Sequence, residues 1–370
     1  MLRINLSDIK VGEPIAWDCY DAVGTLLLRK GVTVTSERQV EGLIERGLFV
    51  TQKQAVPEAP IPRPVEKVSP FHIIEELKRR VRGIFEGILG GQSTDISERV
   101  LKLTRDIQAV CELDADAALG MLHLDTESRY TIVHPLHVTI LAELIARKKG
   151  MPPEERQITL AAALTANVAM IELQEQLQKQ DGPLTEEQTA EIRMHPLKAV
   201  DMLLASGVKD DFWIATVLHH HEKLDGSGYP GAMRGETLPL SVRIISLADT
   251  YSAMVTPRVY RGQILARDAL RDIFLKRGGE MDADLAQLFI KELGVFPPGT
   301  YVKLQNGEIG IVSRRGENAM KPIVQAVIGP RGAPLPHPIK RDSAEPDFTI
   351  REMVPRDRAA KLDVHRMWGY

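Results

Sequence analysis

The sequence predicts a mainly α-helical fold: a helical bundle carrying small β-containing units at its two ends. Three observations lead there. Apolar residues recur at helical spacing from Phe71 to about Phe296, as Ile74, Leu77, Val81 and Ile84 do in "FHIIEELKRRVRGIFEGIL". Strand-like runs are scarce over that stretch. Both ends of the chain change texture, to short apolar runs broken by glycines, with Asn306-Gly307 a hairpin signal in the C-terminal part.

Taken in order, residues 1–55 read as a small α/β unit. "PIAWDCYDAVGTLLLRKGVTVT" gives strands and turns, and Ser36 stands three residues before Gln39, a capping-box spacing. The helix it opens runs to about Arg46 and stops at Gly47, with "LFVTQ" as a closing strand. Residues 56–70 form a proline-rich linker, where neither a regular helix nor a central strand can persist. Residues 71–295 form the helical unit, and residues 296–370 a small β-rich unit and a polar tail.

Bulk properties narrow the function. A length of 370 residues suggests two or three structural units. A net charge of -3 provides no global field for nucleic acid or an anionic membrane. Two cysteines, Cys19 and Cys111, suggest neither a disulfide framework nor a cysteine-rich zinc module. The first residues lack the apolar core of a signal peptide, and no apolar run is long enough for a bilayer span, so a cytoplasmic protein is expected.

The chemistry lies in the histidines. Of ten, His72, His123, His337 and His365 have no metal-like neighbours and read as surface or satisfied core. His134 begins a helix whose first turn holds Pro135, and shares a face with Val138 and Leu141; a core role and a ligand role both fit it. His137, three residues on, reads as structural. Thr185 and Gln188 cap a second helix, which Pro196 should end or kink just after His195, leaving that ring at a cavity or an exposed cap. "DDFWIATVLHHHEKLDG" reads as a third helix, and two of its three histidines can share a site near the helix end. The turn that follows, through Asp225-Gly226, Gly228, Tyr229 and Pro230, is tightly constrained. Asp249 follows an apolar helical stretch, where a nearby cation would explain a carboxylate.

These segments resemble the HD-GYP domain, a branch of the HD metal-dependent phosphohydrolases whose members typically hydrolyse the bacterial messenger cyclic di-GMP. The likeness rests on "YTIVHPLHV", "LTEEQTAEIRMHP", "HHEKLDGSGYPGAMRGETLPLSVRIISLADTYSAM" and "PRVYR", within residues 125–290. The first fifty residues also resemble a small domain often found ahead of HD-GYP domains. The resemblance implies an HD-type helical bundle with metal ligands His134, His195, His220, His221 and Asp249, His219 being the odd one out. It makes Gly228, Tyr229 and Pro230 the GYP loop, and Arg243, Arg258 and Arg261 candidate ligand contacts, with Tyr260 a candidate for base stacking.

The chain departs from the family at its HD dyad. The family helix resembles "AALLHDIGK", and here reads "AALTANVAM". Ala166 and Asn167 replace the dyad, Met170 replaces a phosphate-binding lysine, and Tyr130 stands where some members carry a glutamate ligand. The donors that remain fit one divalent transition metal (iron, manganese, zinc or nickel) on three histidines, or an empty site. The expected function is a degenerate member of cyclic di-GMP signalling. It acts by binding that nucleotide, a related one, or a protein such as a diguanylate cyclase through the GYP loop. A slow phosphodiesterase, or an adaptor working through its N-terminal unit, are the alternatives. A homo-oligomer is compatible with either.

Overall fold

The structure is a computed structural model, and it describes residues 2–3, 9–36, 38–40, 43, 49–50, 68–91, 95–125, 127–180, 182–256, 264–356 and 362–370. The chain divides into two compact units, residues 1–67 and 68–370.

In the first unit four short strands, β1 (Leu2–Arg3), β2 (Cys19–Tyr20), β3 (Leu26–Leu28) and β4 (Phe49–Val50), make an antiparallel sheet in the order β1-β4-β2-β3. Ile15, Cys19 and Val34 are its buried core. Gln39 N–H donates to Ser36 Oγ at 3.3 Å, and Gln39 Oε1 accepts from Thr35 N–H at 3.1 Å. The rest of the helix expected there, and residues 56–67 of the expected linker, lie outside the described residues; Pro70, at that linker's end, instead opens the first helix of the next unit.

The second unit is built around α4 (Tyr130–Lys148), whose buried residues cover every face, as in a helix at the centre of a bundle. Before it come α1 (Pro70–Leu89), α2 (Ile96–Leu113) and α3 (Ala115–Leu124). After it come α5 (Pro153–Thr165), α6 (Ile171–Leu177), α7 (Glu186–Ala205), α8 (Asp211–His219), α9 (Leu240–Val255), α10 (Ala266–Lys276) and α11 (Ala283–Leu293). The helix α4 packs chiefly against α5 and α9. The boundaries follow local chemistry: Thr185 and Gln188 form the full capping box at the start of α7, and Asp114, Asp210 and Asp282 cap α3, α8 and α11. No helix among the described residues is long and apolar enough to cross a membrane.

Strands β5 (Tyr301–Leu304), β6 (Ile309–Arg314), β7 (Ile323–Ile328), β8 (Pro334–Asp342) and β9 (Ile350–Met353) form an antiparallel sheet in the order β8-β7-β6-β5-β9. The sequence set residues 296–370 apart as a unit, but here they belong to the helical one. Val302, Leu304, Ile311 and Val312 are buried in the same core as the helices, and Arg315 and Arg314 pair with Asp116 and Asp114 at the start of α3. The last helix, α12 (Val364–Trp368), returns to α1, where the Phe71 ring meets Trp368 edge-on at 5.4 Å. Five short strands have too little apolar surface for a core of their own.

That return depends on a glycine. A Cβ on Gly120 would lie 2.6 Å from Trp368 Cζ2. Gly120→Ala is therefore expected to cost about 1–3 kcal/mol through overpacking, read as a lower urea midpoint. An unchanged midpoint would show that α12 is not seated against α3.

Candidate metal centre and ligand cavity

Helices α4, α7 and α9 and the segments that follow α5 and α8 bring the expected side chains to one cavity of about 320 Å³, lined by His134, Asn167, Met170, His195, His221, Tyr229 and Asp249 among others. The five expected ligands form two groups around it. His134 and Asp249 are one pair, at 3.0 Å from Nε2 to Oδ1. His195, His220 and His221 are the other, with one nitrogen from each within 4.8 Å of the others. His195 and His220 are buried and His221 is half-buried.

The orientation of His195 comes from the proline beside it. Pro196 was expected to end or kink the helix, but α7 runs through it to Ala205. A proline has no N–H for the carbonyl four residues earlier, here Ile192. That carbonyl instead accepts from His195 Nδ1 at 2.5 Å. His220 is oriented by the same principle at a helix end. The helix α8 stops at His219, in the middle of the histidine run, so carbonyls of its last turn have no intrahelical donor. Val217 O accepts from His220 Nδ1 at 2.6 Å.

A carbonyl can only accept, so each Nδ1 carries the proton and each neutral ring presents a bare lone pair at Nε2. These two Nε2 atoms face each other at 3.1 Å. Two lone pairs so placed repel unless a proton or a cation lies between them. Burial, followed by the neighbouring His220, lowers the His195 pKa to about 3, and burial followed by His221 lowers that of His220 to about 3. A proton is thus disfavoured, while a divalent ion suits the donors. With Zn–N bonds of about 2.0–2.1 Å, two nitrogens on a tetrahedral ion stand about 3.3–3.4 Å apart, which needs only a small adjustment here. His221, its pKa lowered to about 4 chiefly by burial, completes a three-imidazole set.

The other pair is organised by hydrogen bonds. Asp249 Oδ1 accepts from His134 Nε2 at 3.0 Å and from Asn167 Nδ2 at 3.1 Å, and Ser252 Oγ lies 3.0 Å from His134 Nδ1. Burial opposes ionisation of Asp249, yet the hydrogen bond and charge of His134 hold its carboxyl below the usual range. Ala166 is buried but does not line the cavity, whereas Asn167 and Met170 do. Tyr130 stacks on His134, ring centroids 4.9 Å apart.

The GYP loop closes one side. A Cβ on Gly228 would lie 2.5 Å from both Glu222 Cα and Lys223 N, so the loop folds back on its own preceding backbone. The buried Glu222 carboxylate accepts from the N–H groups of Gly231 and Met233 and holds the loop's exit. Tyr229 stacks on His221 with centroids 4.9 Å apart, and Pro230 is exposed. His219 lies outside the three-histidine set, its Nδ1 3.8 Å from Glu222 Oε1.

Arg243 does not reach the cavity: it pairs with Asp282 at 2.6 Å, because α9 turns that side chain towards the cap of α11. Arg258, Tyr260 and Arg261 lie outside the described residues. His123 is buried between Pro298 O and Tyr251 OH, at 2.8 and 3.0 Å. The sequence reading missed Arg193, whose guanidinium carbon lies 5.8 Å from the Tyr229 ring centre. Its position two residues before His195 was the available signal.

Known proteins resemble this chain in sequence and in fold. The family model described as "HD domain" matches residues 117–285. The chain is 28% identical over 265 residues to the cyclic di-GMP phosphodiesterase PA4108 of Pseudomonas aeruginosa, covering 71% of this chain and 63% of that protein. It is 28% identical over 215 residues to the cyclic di-GMP phosphodiesterase response regulator RpfG of Xanthomonas campestris pv. campestris, covering 56% of each. To the 3'3'-cGAMP-specific phosphodiesterase 3 of Vibrio cholerae it is 32% identical over 189 residues, covering 49% of this chain and 40% of that one. The chain thus spans less than two thirds of the length of each of these relatives. Among solved structures, Bd1817, an HDG"Y"P protein from Bdellovibrio bacteriovorus, shares the fold with a TM-score of 0.52 at 14% identity, over 78% of this chain and 98% of that one.

Two outcomes follow from this geometry. The three depressed histidines resist a proton that the unfolded chain takes up below about pH 6.5. Their contribution to stability is full above that pH and is lost as pH falls through about 4 to about 3. The urea midpoint of metal-free protein should drop between pH 6.5 and 5, and drop less in His220→Ala; a flat or rising midpoint would contradict the assigned environment. Gly228→Ala should displace the loop from His221 and lower the melting temperature, with a fully native melt as the contrary result.

Proposed function

We propose that this chain, whose residues 117–285 match the HD domain model, is a degenerate HD-GYP member of cyclic di-GMP signalling that binds its ligand with little or no turnover. One observation carries the reading: Asn167 donates to Asp249 where the family resemblance puts a bridging aspartate. A carboxylate at 167 would repel Asp249 unless cations lay between them. The amide instead satisfies Asp249 without a cation, and leaves His134 and Asp249 as a hydrogen-bonded pair.

His195, His220 and His221 would hold one divalent ion, which when bound would supply Lewis acidity beside the cavity. Two-metal activation of water has no second ligand set to support it, with Ala166 offering no donor atom. Among the described residues no lysine or arginine lines the cavity, and Met170 stands on its wall, so charge developing on a phosphate meets no lining cation. The names of the relatives support a cyclic dinucleotide as the ligand. A protein contact, such as a diguanylate cyclase, is supported by the exposed Pro230 beside Tyr229.

Metal analysis and a hydrolysis assay on the purified chain test this. The expected result is no more than one transition metal per chain, lost in His195→Ala, with cyclic di-GMP bound but hydrolysed below detection. Ala166→His with Asn167→Asp should raise the metal content towards two, and adding Met170→Lys should raise turnover. Two tightly bound metals and a turnover of about 1 per second or faster in the unaltered chain would overturn the proposal.

A further inference from the structure

The cavity has no lysine or arginine among its described lining residues, yet a nucleotide brings phosphate charge. Cations near its mouth are mostly engaged: Arg129 pairs with Glu175 at 3.2 Å, and Lys198 with Glu191 at 3.3 Å. Arg193 differs. It is exposed, it sits on α7 between Ile192 and His195, which both line the cavity, and it pairs with no carboxylate among the described residues. Its guanidinium lies against Tyr229, another lining residue, which stacks in turn on His221. A guanidinium held beside a ring by cation–π attraction keeps its N–H edges available for bidentate contact with phosphate oxygens.

Resting on the reading that the cavity takes a cyclic dinucleotide, we propose that Arg193 is the ligand's phosphate contact, set at the mouth by Tyr229. A cavity of about 320 Å³ lies at the lower end of the range for small-ligand sites. It encloses one nucleotide half, with the base against apolar walls such as Ile171, Leu177 and Ile192, and the amide of Gln174 in reach of its edge. The buried Gln174 Oε1 has no hydrogen-bond partner among the described residues, so that oxygen is open to a donor on the base. The other half of a cyclic dinucleotide, with its phosphate, then stands at the mouth beside Arg193.

The experiment is calorimetric titration of the full chain with cyclic di-GMP and, separately, with guanosine 5'-monophosphate, at two salt concentrations. Wild type is compared with Arg193→Ala and Arg193→Lys, and metal content and melting temperature are measured for each. Arg193→Ala should weaken binding at least tenfold and flatten its salt dependence, with metal content unchanged, and Arg193→Lys should recover part of the loss. Equal affinity in wild type and Arg193→Ala would overturn the assignment and leave the dinucleotide reading standing. Binding of the mononucleotide alone, dependent on Arg193, would sink the dinucleotide reading and uphold the assignment. Binding of neither would end both.

Discussion

Two imidazole-to-carbonyl hydrogen bonds, from His195 to Ile192 and from His220 to Val217, govern the chemistry of this site. Each uses a helix carbonyl that lacks its usual amide donor, one because residue 196 is proline and the other because α8 ends. Leaving such a carbonyl unpaired in a buried place costs about 1–3 kcal/mol. The pairing therefore both relieves the backbone and fixes the tautomer. Two rings held this way must turn bare nitrogens towards each other, and the affinity for a cation follows from that constraint.

The same constraint explains the run "HHHEKLDGSGYP". Consecutive helical residues point about 100° apart, so a continuous helix could not send His220 and His221 into one site. Ending the helix at His219 releases them, and the backbone crossing at Gly228 brings Tyr229 onto His221. The buried carboxylate of Glu222 then fastens the loop's exit. Loop and ligands are one mechanical unit, which is why the glycine and the histidines occur together in so short a segment.

Much of this was legible in the sequence where the signal is local. The helical period identified the bundle, the capping box placed the start of α7, and the histidine runs pointed to His134, His195 and His221, which line the cavity, and to His220 beside them. What was not legible depends on distant partners. Pro196 reads locally as an end or a kink, but α7 continues through it to Ala205 and the freed carbonyl finds His195. Arg243 reads as a cation near the motif, but only the fold shows that Asp282 claims it. The C-terminal strands read as a separate unit because sequence does not reveal that Trp368 fills the space left by Gly120.

Nitrogen-15 spectroscopy of the histidine rings tests the central claim most directly, since it reports which ring nitrogen bears the proton and which binds metal. In metal-free protein near neutral pH, His195 and His220 should both be protonated at Nδ1 and bare at Nε2. The first equivalent of zinc should then move those Nε2 signals and that of His221, leaving His134 where it was. A proton on Nε2 of either ring, or a first equivalent that perturbs His134 as strongly as His195, would contradict the account.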